Sequence, residues 1–288
     1  METKELLKKV RTIEIKTRGL SRQIFAGEYH SAFKGKGMAF SEVREYQIGD
    51  PIKNIDWHVT ARFNHPYIKM FEEERELTVM LLVDVSSSQE FGTHERLKNE
   101  LVAEVSAVLS FSAIHNNDKI GVIFFSDKVE KFIPPKKGKK HILRIIREMI
   151  DFQPESKGTN IAEALRYLTN AIKKRCTAFV ISDFIDDNPY LDAMRIAGNK
   201  HDVVALRVFD ERDIELPNLG MVKMKDPESN HTLLVDTAEK QTRALYRQHY
   251  NVFRQKSIEN FRKSGVDFAE LKTDQDYVKP LIALFKRR

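Results

Sequence analysis

Cysteine is nearly absent from this chain of 288 residues: Cys176 is its one example. An intramolecular disulfide is therefore excluded, and a reducing compartment is expected. No apolar run approaches the roughly 18 residues needed to cross a bilayer. The opening METKELLKKVRTIEIK alternates charged and apolar residues and lacks the continuous apolar core of a secretory signal. These absences together lead to the expectation of a cytoplasmic protein with no membrane span. Neither G-x-x-x-x-G-K-[ST] nor G-x-G-x-x-G occurs, which argues against intrinsic nucleotide hydrolysis. Internal repeats and low-complexity linkers are missing as well.

Hydrophobic residues make up 41% and charged residues 31% of the chain, the balance of a globular protein with a substantial core. The net charge of +6 arises from 48 basic and 42 acidic residues. Basic residues gather in Lys136–Lys140 (KKGKK) and Lys286–Arg288. Such patches attract nucleic acid, anionic lipid or acidic protein, but short charge runs are mostly solvated surface. No aromatic residue is interleaved with KKGKK to stack on a base, so nucleic acid is disfavoured as a partner.

Residues Leu6 to Tyr29 have helix-like apolar spacing, broken near Gly19, and Ser31–Gly37 reads as a loop. Met38 to Glu74 is dense in polar and aromatic residues, with a turn at Gly49-Asp50-Pro51. Residues 1–75 are thus expected to form an N-terminal extension. From Glu76 a regular alternation begins, and 76–288 reads as one domain. The strands expected there are TVMLLVDV, Ile120–Phe125, Val129–Ile133 (ended by Pro134-Pro135), Ala178–Ile181, Val203–Phe209 and Val266–Leu271, with weaker ones at Gly220–Lys225 and Leu233–Val235. Helices are expected over Glu95–Ile114, with Leu97, Leu101, Val105, Val108 and Leu109 on one buried face, and over His141–Ile150, Asn160–Lys173, Tyr190–Ala197 and Ala238–Lys263. Gly265 stops the last of these. Strands alternating with helices predict an α/β fold with a mostly parallel sheet, helices on both of its faces.

In such a sheet, ligands bind at the edge where the strands finish. Asp84 and Ser86-Ser87-Ser88 follow the first core strand, Gly158-Thr159 opens a helix at the same edge, and Asp183 ends a later strand. If those two strands are neighbours, two carboxylates and several hydroxyls meet in one crevice. Carboxylates with neutral hydroxyls, and neither imidazole nor thiolate, suit a hard divalent cation such as Mg²⁺ or Mn²⁺ rather than zinc. A plainer reading also stands. Ser86–Ser88 could cap the following helix, Thr159 could cap its own, and Asp84 could be a satisfied strand-end acid.

The set Asp84, Ser86, Ser88 (D-x-S-x-S), Thr159 and Asp183 resembles the metal-ion-dependent adhesion site (MIDAS) of von Willebrand factor A domains. That resemblance implies a Rossmann-like fold in which the serines and threonine face the metal. The aspartates reach it directly or through water, and the last coordination position is left for an acidic residue of a partner. The stretch GKGMAFSEVREYQIGDPIKNIDWHVTARFNHPYIKMFEEERE is in turn similar to the signature of the bacterial domain-of-unknown-function family 58. Its pieces are Arg44-Glu45-Tyr46, Gly49-Asp50, Ile55-Asp56-Trp57 and Ala61-Arg62. The resemblance implies partnership with MoxR-type AAA+ ATPases in a chaperone-like or complex-assembly role. Read physically, the alternating charges Arg44, Glu45, Asp50, Asp56 and Arg62 could form ion pairs that clamp the segment to the sheet domain, or present a partner surface.

The leading expectation is a non-enzymatic, metal-dependent interaction module. A metal-dependent hydrolase or phosphatase using Asp84 is the runner-up, and a nucleic-acid-binding protein comes third. Against the hydrolase, no carboxylate follows two positions after Asp84. No Ser-His-Asp set is evident, and His58, His65 and His94 are scattered.

Overall fold

A computed structural model describes residues 39–72, 77–90, 97–225 and 231–288. The expected helix over Leu6–Tyr29, the loop Ser31–Gly37 and His94 lie outside these residues. The chain divides into two compact units, with the boundary between Leu77 and Thr78.

The smaller unit is built on a two-stranded antiparallel ribbon, β1 (Ala39–Glu45) with β2 (Tyr67–Glu72). Between them runs α1 (Trp57–Phe63), started by Asp56, whose side chain accepts from the backbone N–H of His58 (3.0 Å) and Val59 (3.3 Å). Asn64 closes the helix at φ 60°, a conformation asparagine tolerates. Two ion pairs lie within this unit, Arg44 with Asp50 at 2.8 Å and Lys69 with Asp56 at 3.4 Å.

In the larger unit, six strands make one sheet in the order β10-β7-β6-β3-β4-β5. Five are parallel: β3 (Thr78–Asp84), β4 (Lys119–Phe125), β6 (Thr177–Ser182), β7 (Asp202–Phe209) and β10 (Asp267–Lys272). All six residues of β6 are buried, as expected of a strand covered on both faces. On one face Met80, Leu82, Ile123, Phe125, Ala178 and Val180 pack against α4 (Ile161–Ala171), α5 (Leu191–Lys200) and Phe261. Successive strand residues point to opposite faces. Phe179 accordingly meets Phe285 of α8 (Val278–Lys286) on the other side, with centroids 6.2 Å apart. The sheet also packs against α2 (Lys98–His115), which in turn contacts α3 (Lys139–Asp151). Phe261 belongs to α7 (Lys240–Ser264), which ends as expected at Gly265, φ 67°. This unit also holds an antiparallel hairpin, β8 (Met221–Lys225) and β9 (Thr232–Asp236), and the short helix α6 (Glu211–Ile214).

Two local expectations need correction. The strand β5 (Val129–Lys136) does not stop at Pro134-Pro135 but runs through them, pairing antiparallel with β4. It is an edge strand, so the missing amide protons cost no ladder bonds on its outer side. Nor is α2 amphipathic. From Leu101 to Ala113 only Glu104 escapes full burial, while Leu97, assigned to the buried face, lies at its exposed start. Three serines in this stretch are buried with the apolar residues, and Ser110 Oγ donates back to the Ser106 carbonyl at 2.7 Å, a bond available within a helix.

Candidate functional site

The first core strand, β3, lies between β4 and β6, so the chain leaves it in one direction and later returns on its other side. In open α/β sheets, such a reversal at the carboxyl edge is where ligands bind. Asp84 is the last residue of β3 and Ser182 the last of β6. Across that seam Ser182 Oγ donates to Asp84 Oδ2 at 2.5 Å, and the Ser86 N–H donates to Asp84 Oδ1 at 2.9 Å. The carboxylate thus folds its own following turn and ties it to the neighbouring strand. Asp84 is 2% exposed. Burial, and then the Asp183 charge, push its pKa up to about 7, against the bonds from Ser182 and Ser86.

The serine turn continues as a 3₁₀ helix over Ser87–Glu90. Ser86 Oγ and Ser88 Oγ lie 3.0 Å apart. Neither serine caps α2, whose cap position is Leu97. Ser87 N–H donates to the Lys157 carbonyl at 3.1 Å, which joins this turn to the loop carrying Thr159. Thr159 is buried, and it is not the cap of α4. Asn160 holds that position, accepting from the Glu163 N–H at 3.0 Å.

The loop after β6 is pinned at several points. Ile185 N–H donates to Asp183 Oδ1 at 3.1 Å, and Phe184 between them takes a left-handed φ of 58°. Asp186 accepts from the Ile161 N–H at 2.8 Å, and Asn188 Nδ2 donates to the Thr159 carbonyl at 3.2 Å. Asn188 thus ties the loop that begins at Asp183 to the backbone carbonyl of Thr159. Asp186, Asn188 and Ser182 were missed. Their signal was the polar run after the ISD strand, S-D-F-I-D-D-N.

The larger omission is Lys98. It is the first residue of α2, is 1% exposed, and places its Nζ 3.2 Å from Asp183 Oδ2 and 2.9 Å from Asp213 Oδ2. Burial alone would lower the lysine pKa, but the two carboxylates more than offset it and hold it above the usual value. Asp213 lies on α6, after β7, and also accepts from the Asp210 N–H at 2.8 Å. Asp210 in turn accepts from Thr273 Oγ1 at 2.6 Å, beyond the end of β10. One network thus spans the carboxyl ends of β3, β6, β7 and β10.

The donor chemistry suits a hard cation. Oxygen ligands about 2.1 Å from Mg²⁺ in an octahedron lie about 3.0 Å apart along an edge, the separation of the Ser86 and Ser88 hydroxyls. Both Asp84 oxygens already accept a bond, and each keeps a second lone pair. Among the described residues no group of three or more His, Cys, Asp or Glu is poised around a metal, so a carboxylate-rich cage is not formed there. His58 and His65 are exposed in the smaller unit, and KKGKK is exposed surface.

From the smaller unit through most of α7, residues 42–256 match the family described as "Protein of unknown function DUF58". The chain belongs to this family. Its relatives include an uncharacterized protein of Mycobacterium tuberculosis, 29% identical over 286 residues, spanning 97% of this chain and 88% of that protein. Among solved structures, the fold is similar to that of an aerotolerance-related membrane protein from Bacteroides fragilis. The TM-score is 0.50 at 14% identity, covering 73% of this chain and 97% of that one. The von Willebrand factor A domain of SpRpn10 aligns at 11% identity with a TM-score of 0.40, covering 74% of this chain and 95% of that domain. This DUF58 chain has an α/β fold with a mostly parallel six-stranded sheet, and no helix among its described residues is long and apolar enough to cross a membrane.

Proposed function

We propose that this DUF58 chain is a non-enzymatic, metal-dependent protein-interaction module. Asp84, Ser86, Ser88, Thr159 and Asp183 hold Mg²⁺ or Mn²⁺, with the hydroxyls facing the ion and Asp183 acting through water. The metal, when bound, supplies a positive centre that attracts a carboxylate. The protein's own part is to hold the hydroxyls at ligand spacing, keep the crevice dry, and present it at a sheet edge where an acidic residue of a partner can enter. The observation that carries this reading is the Ser86–Ser88 hydroxyl pair beside the buried Asp84. The partner is a MoxR-type AAA+ ATPase, as the family resemblance implies, in a chaperone-like or assembly role in the cytoplasm.

A non-enzymatic role is supported by the one cysteine–histidine pair among the described residues. Cys176 Sγ lies 3.3 Å from His201 Nδ1, yet both are buried at the opposite edge of the sheet. Burial pushes the thiol up to about 12 and the imidazole down to about 4, so the pair stays neutral and is no nucleophile.

The test is the affinity of the purified chain for a MoxR-type ATPase from the same cell, with Mg²⁺, with EDTA, and as Ser86→Ala, using thermal melts as a folding control. Binding should weaken in the second and third conditions. Equal affinity in all three would reject the metal-gated surface. Phosphoester hydrolysis by the wild type that Asp84→Asn abolishes would instead place the chain among metal-dependent hydrolases.

A further inference from the structure

A buried lysine at a proposed metal site is an unexpected neighbour. Lys98 sets its buried ammonium against two carboxylates, Asp183 and Asp213. Both oxygens of Asp183 are engaged, Oδ1 by the Ile185 N–H and Oδ2 by Lys98. A divalent ion that draws on Asp183 must share its charge with an ammonium 3.2 Å from the carboxylate. Lys98 cannot swing into water without leaving Asp213, on whose Oδ2 it sits at 2.9 Å, and it is 1% exposed.

We propose that Lys98 is a resident cation of this site, competing with the divalent metal for Asp183 and holding the metal affinity of the free protein low. The inference rests on the metal reading of Asp84, Ser86, Ser88, Thr159 and Asp183. Like charges repel strongly in a partly dry crevice, so removing the ammonium removes that repulsion and frees Asp183 Oδ2 at once. Lys98 is a positioning and tuning residue, not a ligand. Its identity separates this chain from a site built of carboxylates and hydroxyls alone.

The probe is Mn²⁺, titrated by calorimetry and by electron paramagnetic resonance of the free ion. Lys98→Met alone leaves Asp183 and Asp213 facing each other uncompensated, so the main variant is the charge-balanced pair Lys98→Met with Asp213→Asn. It should bind Mn²⁺ at least about tenfold more tightly than the wild type, the order of one charge interaction at a partly buried site. Adding Ser86→Ala to that background should reverse the gain. A second variant, Asp213→Asn alone, leaves Lys98 to Asp183 and should weaken Mn²⁺ binding; this arm decides the matter if the double variant fails to fold. Equal or weaker binding by the folded double variant, or tighter binding by Asp213→Asn, overturns the role of Lys98. Ser86-dependent Mn²⁺ binding by the wild type would then leave the metal reading standing. Absence of Mn²⁺ binding in wild type and double variant alike overturns both.

Discussion

Ser182 Oγ donates a 2.5 Å hydrogen bond to Asp84 Oδ2, joining the last residues of two neighbouring parallel strands that are 98 positions apart in the chain. Ser182 Oγ also accepts from the Phe184 N–H at 2.9 Å, so one hydroxyl sets the Asp84 carboxylate and the turn that follows β6. Ser182→Ala should destabilise the protein by about 1–3 kcal/mol, because it leaves a buried acceptor and a buried N–H without their partner. The midpoint of urea unfolding reads this directly. An unchanged midpoint would mean that solvent reaches Asp84.

On the proposed metal reading, divalent ion should stabilise the folded chain, since the proposed ligands Asp84 and Asp183 come together only when β3 and β6 pair. The melting temperature is expected to rise with millimolar Mg²⁺ or Mn²⁺ and to fall back on adding EDTA. In Ser86→Ala the metal-dependent part of the rise should shrink or vanish. Melts of the wild type that ignore both metal and chelator would count against the site.

Gly121 in β4 sits where no side chain fits. A Cβ there would lie 2.8 Å from the Ile133 carbonyl oxygen, 2.8 Å from Pro135 N and 2.9 Å from Met80 Sδ. Two of those three atoms are backbone of β5, which cannot rotate away. Gly121→Ala should therefore cost about 1–3 kcal/mol, as overpacking does in a close-packed interior, and should loosen β5 in hydrogen exchange before the parallel strands. Full stability in this variant would refute the close approach of β5 to β4.

His201 carries a prediction about acid. Burial, with Lys200 and Arg175 near by, lowers its pKa to about 4 from an ordinary 6.5. The unfolded chain then binds more protons than the folded one between those values, so this residue's contribution to stability falls as pH drops from about 6.5 towards 4. Its Nδ1 accepts from the Cys176 N–H at 3.4 Å, a bond available to the neutral ring alone. The loss in urea midpoint between pH 7 and pH 5 should be smaller in His201→Leu than in the wild type. Equal losses would show that His201 is not the titrating group.

Much of the fold was legible because strand and helix periods are local. TVMLLVDV, IGVIFF and the apolar run before Ser182-Asp183 could only be buried strands, and Gly265 ends its helix because it alone takes φ 67° there without strain. Less legible was anything that depended on a neighbour. Pro134-Pro135 looks like a strand end until β5 is known to be an edge. The Leu101–Ala113 stretch of α2 looks amphipathic by its leucines and valines until packing covers the other side as well.

The same division holds at the site. The sequence by itself marked Asp84, Ser86 and Ser88 as candidates, because a strand-end carboxylate and the hydroxyls of the turn after it occupy five consecutive positions and need no distant partner to be recognised. It determined the chemistry on offer too, oxygen donors without imidazole or thiolate. Only the tertiary structure decided which charge answers them. Lys98 begins a helix, where lysine ordinarily reads as solvated surface, and its partner Asp183 is 85 positions away. The two meet because β6, which Asp183 follows, pairs beside β3, after which the helix of Lys98 begins. Strand order is a property of the whole sheet, and no local pattern of residues encodes which distant charge it will bring to a buried carboxylate.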